Sequence, residues 1–168
     1  VIGIAFNKTT YTYNFDVLSG LSSLTFKPVS ESPDASIQIC AKFDGINDTT
    51  ADILSNQNST PVILNTGINT VKLEVTAEDG ATKSIYTINV NKLEKASNPV
   101  VSPEGGIFKV SQDVLLQSAT IGAEIIYTLN GSDPTDSNGI KVVGGTIIVL
   151  TESVTLKTRA VKSGMEPS

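Results

Sequence analysis

The feature that most constrains this chain is a pair of alternating runs around one short turn. In the first run Val71, Leu73, Val75 and Ala77 share one face while Lys72, Glu74 and Thr76 take the other. In the second, Tyr86, Ile88 and Val90 share a face. A period of two is that of a strand, whose successive side chains point to opposite sides of a sheet. Between the runs stands Glu78-Asp79-Gly80-Ala81, and Asp-Gly is the preferred pair for a tight hairpin turn with positive φ. This stretch is therefore a β-hairpin with one apolar and one polar face.

The same chemistry recurs along the whole chain. Strands are expected at 1–6, 11–17, 24–29, 36–43, 62–64, 70–77 and 84–90, with 52–58 as a loop. A second series is expected at 100–101, 107–110, 114–118, 124–129, 140–143, 146–150 and 154–161. Turns are expected at Glu104-Gly105-Gly106, Ile121-Gly122-Ala123, Asn130-Gly131 and Gly144-Gly145. Charged residues are only 17% of the 168 and aromatics 5%, without tryptophan, and β-branched residues, serine and glycine are frequent. Such side chains pack well on a pleated surface and restrict helices, so the chain reads as all-β.

Much chemistry is excluded by residue type. With no histidine, Ser-His-Asp and Cys-His nucleophile systems and His-ligated metals are ruled out. One cysteine, Cys40, permits neither an intrachain disulfide nor a Cys-rich metal site. It alternates with Ile37, Ile39 and Ala41, on the more polar face of its strand, and reads as a structural thiol. No glycine-rich phosphate cradle is present. The net charge of −5 comes without a basic patch, which argues against nucleic acid and against an anionic membrane surface. No segment approaches the ~20 apolar residues that span a bilayer. The chain opens at Val1 without a leader and reads as a piece of a longer protein.

Two resemblances follow from ordered motifs. Ser102-Pro103-Glu104-Gly105-Gly106, then Tyr127-Thr128-Leu129-Asn130-Gly131-Ser132-Asp133-Pro134-Thr135, then Lys157-Thr158-Arg159-Ala160-Val161-Lys162-Ser163-Gly164 resemble the C-terminal β-sandwich module of chitobiases and β-hexosaminidases. That module accompanies a catalytic domain and does no chemistry. Asn130 stands where the family usually has Asp, and suits the same turn. The resemblance implies a further strand after Met165-Glu166-Pro167-Ser168, and hence an open edge here. Tyr11-Thr12-Tyr13, Pro61 to Val71 and Val75 to Val90 resemble the cadherin-like β-sandwich of bacterial surface proteins and secreted enzymes. The expected organisation is two tandem immunoglobulin/fibronectin-like β-sandwiches, at 1–92 and 99–168, joined by a short linker at 93–98 ahead of Pro99.

The remaining site candidates all compete with ordinary structural roles. Glu104, Asp113, Glu124 and Asp133 are acids that paired-carboxylate glycoside hydrolysis would need, but each falls at a turn or strand edge. Asp133 to Gly139 concentrates oxygen ligands suited to calcium, in residues that also make turns. Tyr11, Tyr13, Tyr86 and Tyr127 offer rings for sugar stacking, yet read as core, as does Phe15. Asn7, Asn47, Asn58 and Asn130 open glycosylation-like triplets and read as coincidental. No catalytic, cofactor-binding or metal residue is assigned.

The expectation is a monomeric, non-catalytic spacer pair of a larger bacterial protein, secreted or on the cell surface and carbohydrate-active. Its partners would be neighbouring domains, with polysaccharide as a candidate ligand and neither nucleic acid nor membrane insertion. The alternatives are a carbohydrate-binding module and an adhesin or surface-layer segment that pairs with a protein at the C-terminal edge.

Overall fold

The computed structural model describes residues 6–43 and 47–168; nothing is said of the side chains at 41–43 and 47–49. The expected strand at 1–6 thus lies almost entirely outside the described residues. Thirteen strands and no helix are found in what is described. Inter-residue contacts divide the chain into two compact units, Val1–Leu93 and Glu94–Ser168.

The first unit contains β1 (Thr12–Val17), β2 (Ser23–Leu24), β3 (Ser36–Phe43), β4 (Asn47–Ile53), β5 (Val62–Ile63), β6 (Gly67–Thr76) and β7 (Lys83–Lys92). Five form one sheet in the order β1-β7-β6-β3-β4, and β2 pairs with β5 in a second, two-stranded sheet. The core lies between them. Val17, Ile39, Ile53, Val71, Leu73, Tyr86, Ile88 and Val90 come from the large sheet, and Val62 and Leu64 from in and beside the small one. Removing each such side chain from water contributes about 1.5–3 kcal/mol.

The β6–β7 hairpin is present, in a register running from Gly67↔Lys92 to Thr76↔Lys83. Its turn differs from the tight two-residue form. Gly80 has φ +67° but Asp79 is not left-handed, and the loop closes through Ala77 N–H to Thr82 O at 2.9 Å. Asp79 acts through its carboxylate, whose Oδ1 accepts the N–H groups of Ala81 and Thr82, each at 2.8 Å. That option is open to aspartate at a turn and competes with the doubly left-handed backbone.

Two other expectations need correction. The strand expected at 24–29 is only Ser23–Leu24, because Phe26 is tied to Ser59, which donates and accepts there in place of a sheet partner. β4 occupies Asn47–Ile53, so the loop expected at 52–58 begins after Ile53. Its sequence, Asn-Asp-Thr-Thr-Ala-Asp-Ile, is polar because it is an edge strand, and edge position erases the apolar alternation that betrays a strand. β1 runs parallel to β7, from Thr12↔Thr87 to Val17↔Lys92, a pairing that no local pattern encodes.

The second unit contains β8 (Val100–Ser102), β9 (Gln112–Gln117), β10 (Glu124–Thr128), β11 (Ile140–Val143), β12 (Thr146–Leu150) and β13 (Lys157–Val161). They form two three-stranded sheets, β11-β10-β13 and β12-β9-β8. Val114 and Leu116 from one sheet meet Ile125 and Tyr127 from the other, with Val101, Val142, Ile148 and Leu150 around them. β10 is buried on both faces: Ile125, Ile126, Tyr127 and Thr128 are all shielded. The strand expected at 107–110 does not form, and Ile107 is 100% exposed there.

Residues 94–96, read as part of the linker, pair within this unit. Ala96 N–H donates to Glu166 O at 2.8 Å, Glu166 N–H to Glu94 O at 2.7 Å, and Ala96 is buried with Ala123 and Ala160. The chain's last residues also meet the edge expected to be open. Ser168 N–H donates to Ala160 O at 3.0 Å and Ser168 Oγ accepts from Ala160 N–H at 2.8 Å. The sheet edge at β13 is thus met by the chain itself at Ala160.

Candidate functional site

The acids of the second unit are dispersed, and three of them pair with lysines. Asp133 accepts a hydrogen bond from Lys157 Nζ at 2.7 Å, and that bond and the lysine's charge hold its carboxyl below the usual range. Lys141 lies between Asp136 at 3.4 Å and Glu124 at 3.8 Å. Asp113 sits on β9 opposite Val149, and Glu104 is exposed in the turn after Pro103. The structure does not bring these four acids into a common cleft. A shallow depression of about 340 Å³ is lined by Leu129, Asn130, Ser153, Val154 and Thr155, none able to carry acid–base chemistry near neutrality.

The 133–139 loop has a structural task. Asn138 Oδ1 accepts from Thr135 N–H and Oγ1 at 2.7 and 2.9 Å, and Asn138 Nδ2 donates to Asp133 O at 2.9 Å. Thr128 Oγ1 donates to Ser132 O, and Gly139 packs on Ile126. The oxygen-rich residues thus fold a lid over the outer face of β10. Among the described residues no group of three or more Asp, Glu, Cys or His side chains is placed to hold a metal ion.

Two of the glycosylation-like triplets are turns of the same kind. Asn7 Oδ1 accepts from Thr9 N–H and Oγ1 at 2.9 and 2.8 Å, and Asn130 Oδ1 accepts from Ser132 N–H and Oγ at 3.1 and 2.7 Å. A side-chain oxygen two residues before a hydroxyl-bearing residue makes this double contact without reference to any modification. Cys40 is half-buried on the outer face of β3, and there it lies opposite Lys72. Lys72 is 32 positions away in sequence and is brought there by the β3–β6 register.

The aromatic residues overturn one reading. Tyr127 and Tyr86 are buried and Phe15 half-buried, as expected for core, but Tyr11 is 52% exposed. It precedes β1, and its ring stacks on Tyr86 with centroids 5.4 Å apart and planes 18° from parallel. Phe6, also exposed, meets Tyr86 edge-on at 4.9 Å and stacks on Tyr13 at 5.5 Å. The Tyr13 hydroxyl donates to Asn7 O and accepts from Asn7 N–H, both at 2.8 Å, and the Tyr86 hydroxyl donates to Lys8 O at 3.2 Å. Four rings therefore gather in the first unit, two anchored by their hydroxyls and two open to solvent. Strand alternation could not separate Tyr11 from Tyr13, because Tyr11 lies just outside the strand whose period was being read.

Comparison with known families agrees with this architecture. The family model of the cadherin-like beta sandwich domain matches residues 1–93. The chain belongs to that family. The cadherin-like unit is followed by residues 103–168, which match the chitobiase/beta-hexosaminidase C-terminal domain. No curated protein matches the chain. The order of the two β-sandwich domains is the one their motifs implied.

Proposed function

We propose that this chain is a non-catalytic spacer and scaffold within a larger bacterial protein, secreted or held at the cell surface, that acts on carbohydrate. One observation carries the reading: three carboxylates of the chitobiase-type unit pair with its own lysines, Asp133 with Lys157 and both Asp136 and Glu124 with Lys141. A glycosidase needs one protonated and one ionised carboxyl facing across a substrate. Lys157 holds the Asp133 carboxyl below its usual range, away from the protonated form an acid catalyst needs, and suits it to a module that carries other domains. The kinship of the second unit with a domain named for chitobiase and β-hexosaminidase supports the carbohydrate setting. Its partners are then the neighbouring domains of the parent protein.

A second reading has an observation of its own. Tyr11 is open to solvent and stacked on Tyr86, the disposition a flat sugar ring would use. A pull-down on chitin, cellulose, xylan and peptidoglycan, with the wild type and Tyr11→Ala, tests both readings. The spacer reading expects no retention on any of them. Retention that disappears in Tyr11→Ala establishes a carbohydrate-binding module and overturns it.

A further inference from the structure

Most sheet edges among the described residues carry a device that discourages pairing with another chain. β1 carries Asp16, and β4 carries Asp52. β11 carries Lys141 with its acidic neighbours, and Ser168 bonds β13 at Ala160. β8 is three residues long and runs straight into Pro103. Charge, proline, shortness and cover are the ways in which natural sheets protect their edges. β12 has none of them. It reads Thr146-Ile147-Ile148-Val149-Leu150 and pairs with β9 on one side only, and its N–H and C=O groups bond no other backbone among the described residues.

The outer face of this strand is apolar as well. Ile148 and Leu150 point into the core, so Ile147 and Val149 point out, and each is 60% exposed. Ile147 lies opposite Leu115, another outward residue that is only half-buried. A bare edge and an apolar face therefore coincide on one five-residue strand.

We propose that β12 is a self-association edge, at which two copies of this chain pair antiparallel about a two-fold axis through Ile148. The strand is self-complementary in that register. Thr146 meets Leu150 of the partner, Ile147 meets Val149, and Ile148 meets its own copy. Inward residues face inward residues and exposed apolar residues face exposed apolar residues, as an isologous contact requires. The pairing satisfies the bare N–H and C=O groups and turns two three-stranded sheets into one of six, ordered β8-β9-β12-β12-β9-β8. This departs from the monomer expected from the sequence, and it moves the site of strand pairing from the C-terminal edge to β12.

The test is sedimentation velocity on the full chain from low micromolar to millimolar concentration, at low and high salt. The expected result is a concentration-dependent rise to twice the single-chain mass. High salt should favour it, because each copy carries a net charge of −5 that repels the other. Two double variants check the register. Ile147→Lys with Val149→Lys sets like charges opposite each other and is expected to be monomeric. Ile147→Lys with Val149→Glu sets opposite charges across the axis and is expected to retain the dimer, now weakened by salt. Both positions face solvent, so unchanged circular dichroism and melting verify that the fold survives. A wild type that stays monomeric throughout overturns the proposal, and so does a double-lysine variant that dimerises like the wild type.

Discussion

Gly139 lies flush against Ile126. A Cβ at position 139 would overlap the Ile126 Cγ2 methyl and would also press on Tyr127 O at 3.3 Å and Thr135 O at 3.4 Å. Ile126 is fully buried on the outer face of β10, and the 133–139 lid closes over it only because residue 139 has no side chain. Gly139→Ala is therefore expected to destabilise the second unit by about 1–3 kcal/mol through overpacking. Gly145→Ala serves as the comparison, since φ is +94° there but the space is empty, and backbone strain alone costs about 1–2 kcal/mol. Thermal melting of both variants checks the order: Gly139→Ala should also lose lid protection in hydrogen exchange, and Gly145→Ala should not.

Asn69 is buried, and every polar atom of its side chain is in use. Its amide nitrogen donates to Asn65 O, Gly67 O and Val90 O at 2.8, 2.9 and 3.1 Å, and its oxygen accepts Asn65 N–H at 2.8 Å. Asn69→Ala leaves those groups unpaired and is expected to cost on the order of 2–3 kcal/mol. Asn69→Asp is expected to cost more at neutral pH, because a carboxylate would then face three carbonyl oxygens. Urea unfolding followed by tyrosine fluorescence separates the two, and acidification should narrow the gap.

Tyr11 and Tyr13 should part company on mutation. Tyr11→Ala gives up one stacked pair at the surface, which costs about 0.5–1.5 kcal/mol, and should leave a folded protein fit for binding assays. Tyr13→Ala removes a half-buried ring and two hydrogen bonds to Asn7, so its melting temperature should fall further. Equal losses would show that the exposed ring carries as much of the fold as the anchored one.

Acid should weaken both units at identifiable carboxylates. Asp79 is held below its usual 3.8 chiefly by the Thr82 hydroxyl and then by the Thr82 and Ala81 N–H groups, and Asp133 is held down by Lys157. A carboxyl depressed in the folded state adds stability above its unfolded pKa, and that stability is lost as pH falls through the lower folded value. Unfolding curves between pH 7 and pH 2 should show the loss setting in below about 4. Asp79→Asn and Asp133→Asn should each flatten the fall, and a variant with an unchanged slope would remove that residue from the account.

How much of this was legible in the sequence varies by element. β3, β11 and β12 coincide with the runs expected from pattern, since each is bounded by turn residues and rich in branched side chains. β4 was missed because a polar edge strand has no buried face to advertise. The 107–110 run failed for the opposite reason: Ile107, Phe108 and Val110 have strand composition but no partner to pair with. For the candidate sites, the turn chemistry of the 133–139 loop was legible in its residues, whereas the exposure of Tyr11 was not.

The sequence alone determined the class and the order of the modules. Alternation, turn residues and the lack of histidine are local or compositional facts, and local facts dictate strands, hairpins and excluded chemistries. Only the tertiary structure decided which strands became edges, where Lys72 met Cys40, that Gly139 had to be small, and that β12 stayed bare while Ser168 met β13 at Ala160. Each of these is a pairing between residues distant in the chain. Strand chemistry makes a segment ready to pair, but its partner is set by how all the sheets together bury their apolar faces.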